Sequence, residues 1–221
     1  MNTADVNRGY LKIEGAARAF NFDFKNKIVL DIGSSTGGFT EYVLNHGAKK
    51  VIAVEKGSHQ MKAPLRFDPR IELHEKTDIF DTKVAKDSIA EDRTRQREYI
   101  ASEPCNDRSE RSGSEVMLSF TPNVIVADVS FLSLTKILKH AKFNLADTYT
   151  DFLVMLKPQF EAEPHQLTKG IVKNETIRRQ IIKRFEQWLK QNQFIIIKKH
   201  DNELHGKTGN IERFYYLKLA K

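Results

Sequence analysis

Cysteine is almost absent from this 221-residue chain: Cys105 stands alone, so no intrachain disulfide can form. No Cys/His cluster has zinc-site spacing. The seven histidines are scattered, and His200 and His205 read as solvated loop residues. No apolar run approaches the ~20 residues that span a bilayer. The opening stretch, MNTADVNRGY, lacks the apolar core of a signal peptide. These absences lead to the expectation of a cytoplasmic protein with no membrane partner. Hydrophobic residues make up 40% and charged residues 29%, which suits one folded domain over residues 1–221.

The net charge of +7 is unevenly placed. Residues 169–221 carry thirteen Lys/Arg against five Asp/Glu, whereas 83–118 carry seven against eight. A basic C-terminal quarter suits a polyanion such as RNA, and equally a solvated basic helix face. Segment 83–118 mixes both charges with serine and has few large apolar residues. It reads as an inserted, largely mobile loop, with a docking segment as the alternative.

Elsewhere helix and strand signals alternate. KIVLDIG, KVIAVEKG, IELHEKTD, PNVIVADVS and DFLVMLKP read as strands, and Pro158 should end the last of them. AARAFNF, GGFTEYVLNHG and LTKILKHAKFNLA read as helices. In NETIRRQIIKRFEQWLKQN, Ile177, Ile181, Phe185 and Trp188 share a face, with Arg178, Arg179, Lys183 and Arg184 on the other sides. FIIIKKHD and IERFYYLKL then read as strands joined by a glycine-containing loop. The expected fold is an α/β sandwich whose mostly parallel sheet has an antiparallel C-terminal edge.

The stretch LDIGSSTGGFT places an acid and glycines where a strand meets a helix. A triphosphate loop requires a lysine where Phe39 stands. A dinucleotide loop requires a glycine where Ser35 stands. What remains suits a nucleoside ligand without phosphates, such as S-adenosylmethionine. The loop Gly33, Ser34, Ser35, Thr36, Gly37, Gly38, Phe39 and Thr40 would approach it. Asp31 would accept from an ammonium group or a loop amide. Glu55, ending the second strand, would take the ribose hydroxyls. Asp78, after the third, would take the adenine amino group.

Asp128 and Lys157 close the fourth and fifth strands, and so should emerge at the same sheet edge as Asp31. Lys12 and Glu212 complete a set of two amines and two carboxylates. Such a set can neutralise itself in a cleft and tune one lysine toward a basic form.

Taken together, RGYLKIEGAARAF, VLDIGSSTGGFTEYVLNHGAKKVIAVEKG, VIVADVSFLSL, LVMLKPQFE, KGIVKN and GNIERFYYL resemble the TlyA group of RNA methyltransferases, sometimes called hemolysins. That group lies within the FtsJ-like ribose 2′-O-methyltransferases. The resemblance runs from Arg8 to Leu219, outside 83–118, and DVSF with LKPQFE carries most of it. It implies a Rossmann-like methyltransferase sandwich with a seven-stranded sheet. It implies S-adenosylmethionine as cofactor and a catalytic tetrad at Lys12, Asp128, Lys157 and Glu212, with Asp128 also lining the cofactor site. It implies ribosomal RNA or a ribosomal subunit as partner, with the methyl group going to a cytidine 2′-oxygen. Phosphates would be met by Arg8, Lys169, Arg178 and Lys183. The group commonly carries a small RNA-binding domain ahead of the catalytic lysine, which this chain is expected to lack. Two other readings of the fold are a non-catalytic RNA-binding module and a membrane-active hemolysin.

Overall fold

The computed structural model describes residues 7–84, 115–202, 204 and 209–220. Among these described residues, nine strands form between the helices of an α/β sandwich. Those of the main sheet are β1 (Ile28–Ile32), β2 (Lys50–Val54), β3 (Ile71–His74), β6 (Val124–Ala127), β7 (Asp151–Leu156), β8 (Phe194–Asp201) and β9 (Arg213–Leu219). Their order is β3-β2-β1-β6-β7-β9-β8. The first five run parallel, while β9 pairs antiparallel with β7 and with β8. The chain therefore reverses its direction of winding between β1 and β6, the position where open α/β sheets hold ligands.

Burial on both faces explains the strand sequences. Every residue of β6 and β7 is buried, so these strands are apolar runs rather than alternating ones. On one face, α1 (Arg8–Phe20) and α2 (Gly38–Asn45) cover Val29, Val51, Val126, Leu153 and Phe214. On the other, α3 (Leu134–Asn144) and α5 (Glu175–Gln191) cover Leu30, Ile52, Ile125, Phe152 and Tyr215. In α5 the buried stripe is Ile181, Ile182, Phe185 and Leu189, with Trp188 half-buried beside it. Each such side chain contributes about 1.5–3 kcal/mol on burial.

The N-terminal helix is longer than the AARAFNF segment. It starts where the Asn7 side chain accepts the Gly9 N–H and stops where Asn21 turns left-handed. That early start places Lys12 inside a packed helix. A short helix, α4 (Pro158–Glu161), follows β7 at once, with Pro158 in its first turn.

Strands β4 (Thr82–Val84) and β5 (Val116–Leu118) pair in parallel as a small second sheet. The expected insertion 83–118 is thus too wide at both ends. Val84 and Leu118 are buried, so these ends belong to the core. Its remaining residues, 85–114, lie outside the described ones.

Candidate active site

The parallel strands β1, β2, β6 and β7 end along one edge, and β9 begins there, Arg213 standing opposite Leu156. The loop after β1 turns sharply under constraint. Gly33 and Gly37 have φ of 78° and 90°, and Ser35 has 47°. The Gly33 and Ser34 N–H groups both donate to the Val54 carbonyl, and the Gly37 N–H donates to Ser34. Glu55 braces the loop from β2, accepting the Ser35 N–H at 2.9 Å and the Gly57 N–H at 2.6 Å. Gly38 is a point of close approach between helices. A Cβ there would lie 2.8 Å from the Tyr10 backbone nitrogen in α1.

Asp31 lies beneath this loop, 1% exposed. Its Oδ2 accepts the Thr40 hydroxyl at 2.7 Å. Its Oδ1 is buried without a hydrogen-bond partner among the described residues, as is the Ser34 hydroxyl. Burial, opposed by the Thr40 hydrogen bond, pushes the Asp31 carboxyl up to about 7. The loop thus retains polar capacity for a ligand, with no lysine for a phosphate chain.

Beside the loop, four charged side chains form one connected line. Lys12 Nζ lies 2.8 Å from Glu212 Oε2 and 3.4 Å from Asp128 Oδ2. Lys157 Nζ lies 2.6 Å from Asp128 Oδ1. Asp128 therefore bridges the two amines. Both lysines are only 9% exposed and Glu212 3%, so the charges are largely removed from water and depend on one another. Four separate elements supply them: α1, the ends of β6 and β7, and the residue before β9.

Other expected residues fall in different settings. Asp78 caps a turn, accepting the Phe80 N–H, and pairs with Lys56 Nζ at 3.0 Å. Phe39 is core, stacked 6.1 Å from Phe214. Thr36 is exposed and accepts a hydrogen bond from the Asn7 amide. Arg8, Lys169 and Lys183 are exposed. Arg178 departs from the expected basic face. It is 6% exposed, donating to Asp201 Oδ1 at 2.8 Å and to the Ile211 carbonyl. Its position on α5 turns it toward β8 and β9, where the guanidinium meets the Asp201 carboxylate and the Ile211 carbonyl. Arg213 shares Asp201, and the two arginines hold that carboxyl below its usual range against the burial penalty. The same face forms a shallow groove of about 340 Å³, where Arg178, Arg179, Lys183, Lys199 and Arg213 meet three carboxylates.

Ser130 and Phe131 were missed by sequence reasoning as individual residues. The Ser130 hydroxyl accepts from Lys157 Nζ at 2.9 Å. Phe131 is 88% exposed with a φ of 65°, and its ring lies 5.3 Å from Phe160. A bulky residue held in the left-handed region beside charged groups is a signal of function. It is visible only in the backbone.

A glycine-turn nucleoside loop beside a buried amine–carboxylate line, on a sheet with this strand order, defines a site of the methyltransferase class. Residues 6–219 match the FtsJ-like methyltransferase family, and the chain belongs to it. It is 34% identical over 212 residues to "Hemolysin A" of Brachyspira hyodysenteriae, covering 96% of this chain and 75% of that protein. It is 30% identical over 214 residues to the 16S/23S rRNA (cytidine-2′-O)-methyltransferase TlyA of Mycobacterium tuberculosis, covering 96% of this chain and 68% of that one. A solved structure described as a candidate hemolysin from Streptococcus thermophilus superposes with a TM-score of 0.77 at 29% identity, over all of this chain and 69% of that one.

Proposed function

We propose that this protein transfers a methyl group from S-adenosylmethionine to the 2′-hydroxyl of a cytidine in ribosomal RNA. The observation that carries the reading is the Lys12–Asp128–Lys157–Glu212 line beside the glycine loop. The loop fits the donor by its chemistry. Gly33 and Gly37 allow close backbone approach, while Asp31 Oδ1 and the Ser34 hydroxyl offer unmatched polar atoms. Asp31, Ser34 and Glu55 would hold the donor, which supplies an electrophilic methyl group on a sulfonium.

A ribose hydroxyl is a weak nucleophile at neutral pH and needs a base. Lys157 Nζ is that base, taking the proton from the 2′-oxygen as the oxygen gains the methyl group. Asp128 holds the Lys157 amine in place and accepts from Lys12 on its other oxygen. Glu212 fixes Lys12, so that its ammonium stays beside Asp128. Holding the oxygen in line removes much of the entropic part of the barrier. Phe131 and Phe160 offer rings against which the target base can lie. Arg8, Lys169 and Lys183 are exposed cations suited to flanking phosphates, an interaction that weakens with salt. The reading places the protein with ribosomes in the cytoplasm.

The membrane-active reading loses its best element, because the apolar face of α5 is spent within the core. No described helix is long and apolar enough to cross a membrane. A non-catalytic RNA-binding module would have little need for two buried lysines bridged by Asp128. The test is transfer of labelled methyl groups to ribosomal RNA from cells lacking the modification. Wild-type protein should label it, and Lys157→Ala should bind the donor but label nothing. Equal labelling by the variant would remove Lys157 as the base, and no labelling by wild type would reject the function.

A further inference from the structure

Glu161 lies outside the tetrad, yet its carboxylate is almost fully engaged. Oε1 accepts the Leu134 N–H at 2.6 Å, and Oε2 accepts the Ser133 hydroxyl at 2.8 Å. Ser133 is the N-cap of α3, so the carboxylate of α4 sits on the positive end of another helix. The Arg184 side chain of α5 donates to the Glu161 carbonyl at 2.5 Å and holds α4 from behind.

The loop that Glu161 grips is the one following β6. It begins at Asp128, passes Ser130 and Phe131, and ends at Ser133. Ser130 is tied to Lys157, and Ser133 and Leu134 are tied to Glu161. Lys157 and Glu161 are themselves the two ends of a single short segment, the N-cap and last residue of α4. Between the two ties lies Phe131, with its backbone in the left-handed region. Such a conformation is strained for a bulky residue and persists only where its surroundings over-determine it.

We infer that Glu161 is a positioning residue that clamps the Asp128–Ser133 loop to the Lys157 segment, and that Ser130 sets the direction of the Lys157 amine within that clamp. The inference rests on Lys157 being the base. With Asp128 and Ser130 each engaging Nζ, the amine's remaining position is directed rather than free to rotate. Loosening the far end of the loop lets Phe131 relax and carries Ser130 and Asp128 away from Lys157. A displacement of about 1 Å at a reacting group can cost about 100-fold in rate.

The test combines turnover with amide hydrogen exchange in Glu161→Ala, Glu161→Gln and Ser130→Ala. Glu161→Ala should lower kcat by about 10- to 100-fold. The KM for the methyl donor should stay within about twofold, because the glycine loop is untouched. Amides of residues 130–134 should exchange faster, while those of β1 and α2 should not change. Glu161→Gln keeps one acceptor and should recover part of both effects. Ser130→Ala should lower kcat without altering exchange at Leu134. A helix cap with no positioning role would change stability and exchange while leaving kcat intact at a temperature where the protein is folded, and that result overturns the inference. If Glu161→Ala does not fold, Glu161→Gln and Ser130→Ala decide, and wild-type kcat in both overturns it. If wild-type protein transfers no methyl group, the proposed function falls. The exchange data then decide separately whether Glu161 clamps the loop, and unchanged rates at 130–134 would refute the clamp.

Discussion

Asp31 gives a pH dependence that can be worked from the structure. Burial raises its carboxyl from 3.8 to about 7 in the folded protein. Between those values the unfolded chain carries an ionised Asp31 while the folded chain keeps it protonated. The unfolded state then binds fewer protons, so stability falls as pH rises, and levels off above about 7. A shift of about three pH units corresponds to about 4 kcal/mol. The comparison is Asp31→Asn, which keeps the shape and cannot ionise. Urea unfolding of both proteins without ligand, at intervals from pH 4 to 8, yields the difference in stability. Wild type should lose roughly 4 kcal/mol relative to the variant over that range. A flat difference would mean that Asp31 is not desolvated, and a rise with pH would mean that a cation holds the carboxylate. If Asp31 accepts from the donor's ammonium group, saturating donor should shrink the loss, and donor affinity should increase as pH approaches 7.

Other outcomes follow from the same geometry. Gly38→Ala should force α1 away from α2, because the new Cβ meets the Tyr10 backbone at 2.8 Å. Turnover should fall with the displacement of Lys12, and thermal unfolding with a kinetic assay would separate the two effects. Arg178→Met removes an ion pair whose Asp201 side is half-exposed, so urea unfolding should show a loss of about 1–2 kcal/mol. RNA affinity should change little. Lys183→Glu should do the reverse, weakening RNA binding and lowering the slope of log affinity against log salt by about 1 for the lost contact. Glu212→Gln should lower turnover more than donor affinity, since Lys12 then keeps only its longer contact to Asp128.

The centre of the sheet was legible because β1, β2, β6 and β7 are short apolar runs closed by a turn signal or a charge, and because helices fill the intervals. The placing of Asp128 and Lys157 at one edge was legible for a related reason, which does not reach Lys12 inside α1 or Glu212 ahead of β9. A lysine or carboxylate directly after a buried strand must emerge at that strand's end, and parallel strands share one edge. Arg178 was misread because helical spacing fixes which residues share a face but not which polar residue meets an acceptor across a sheet edge. Asp201 and the Ile211 carbonyl lie far along the chain from it. The ends of the charged segment were misread for lack of a pattern. Thr82–Val84 and Val116–Leu118 are three-residue strands, too short for periodicity to register. The clamp at Glu161 joins residues 27 and 28 apart through hydrogen bonds to a backbone N–H and a serine, which no spacing rule reports.

The central claim is a ribose methylation performed by the Lys157 amine in the company of Asp128 and Lys12. Its most direct test is nucleoside analysis by mass spectrometry of ribosomal RNA incubated with S-adenosylmethionine and either wild-type protein or Lys157→Met. The account predicts a cytidine carrying the added mass on its ribose with wild type, and none with the variant. A methyl group on the base, or ribose methylation that survives Lys157→Met, would contradict it.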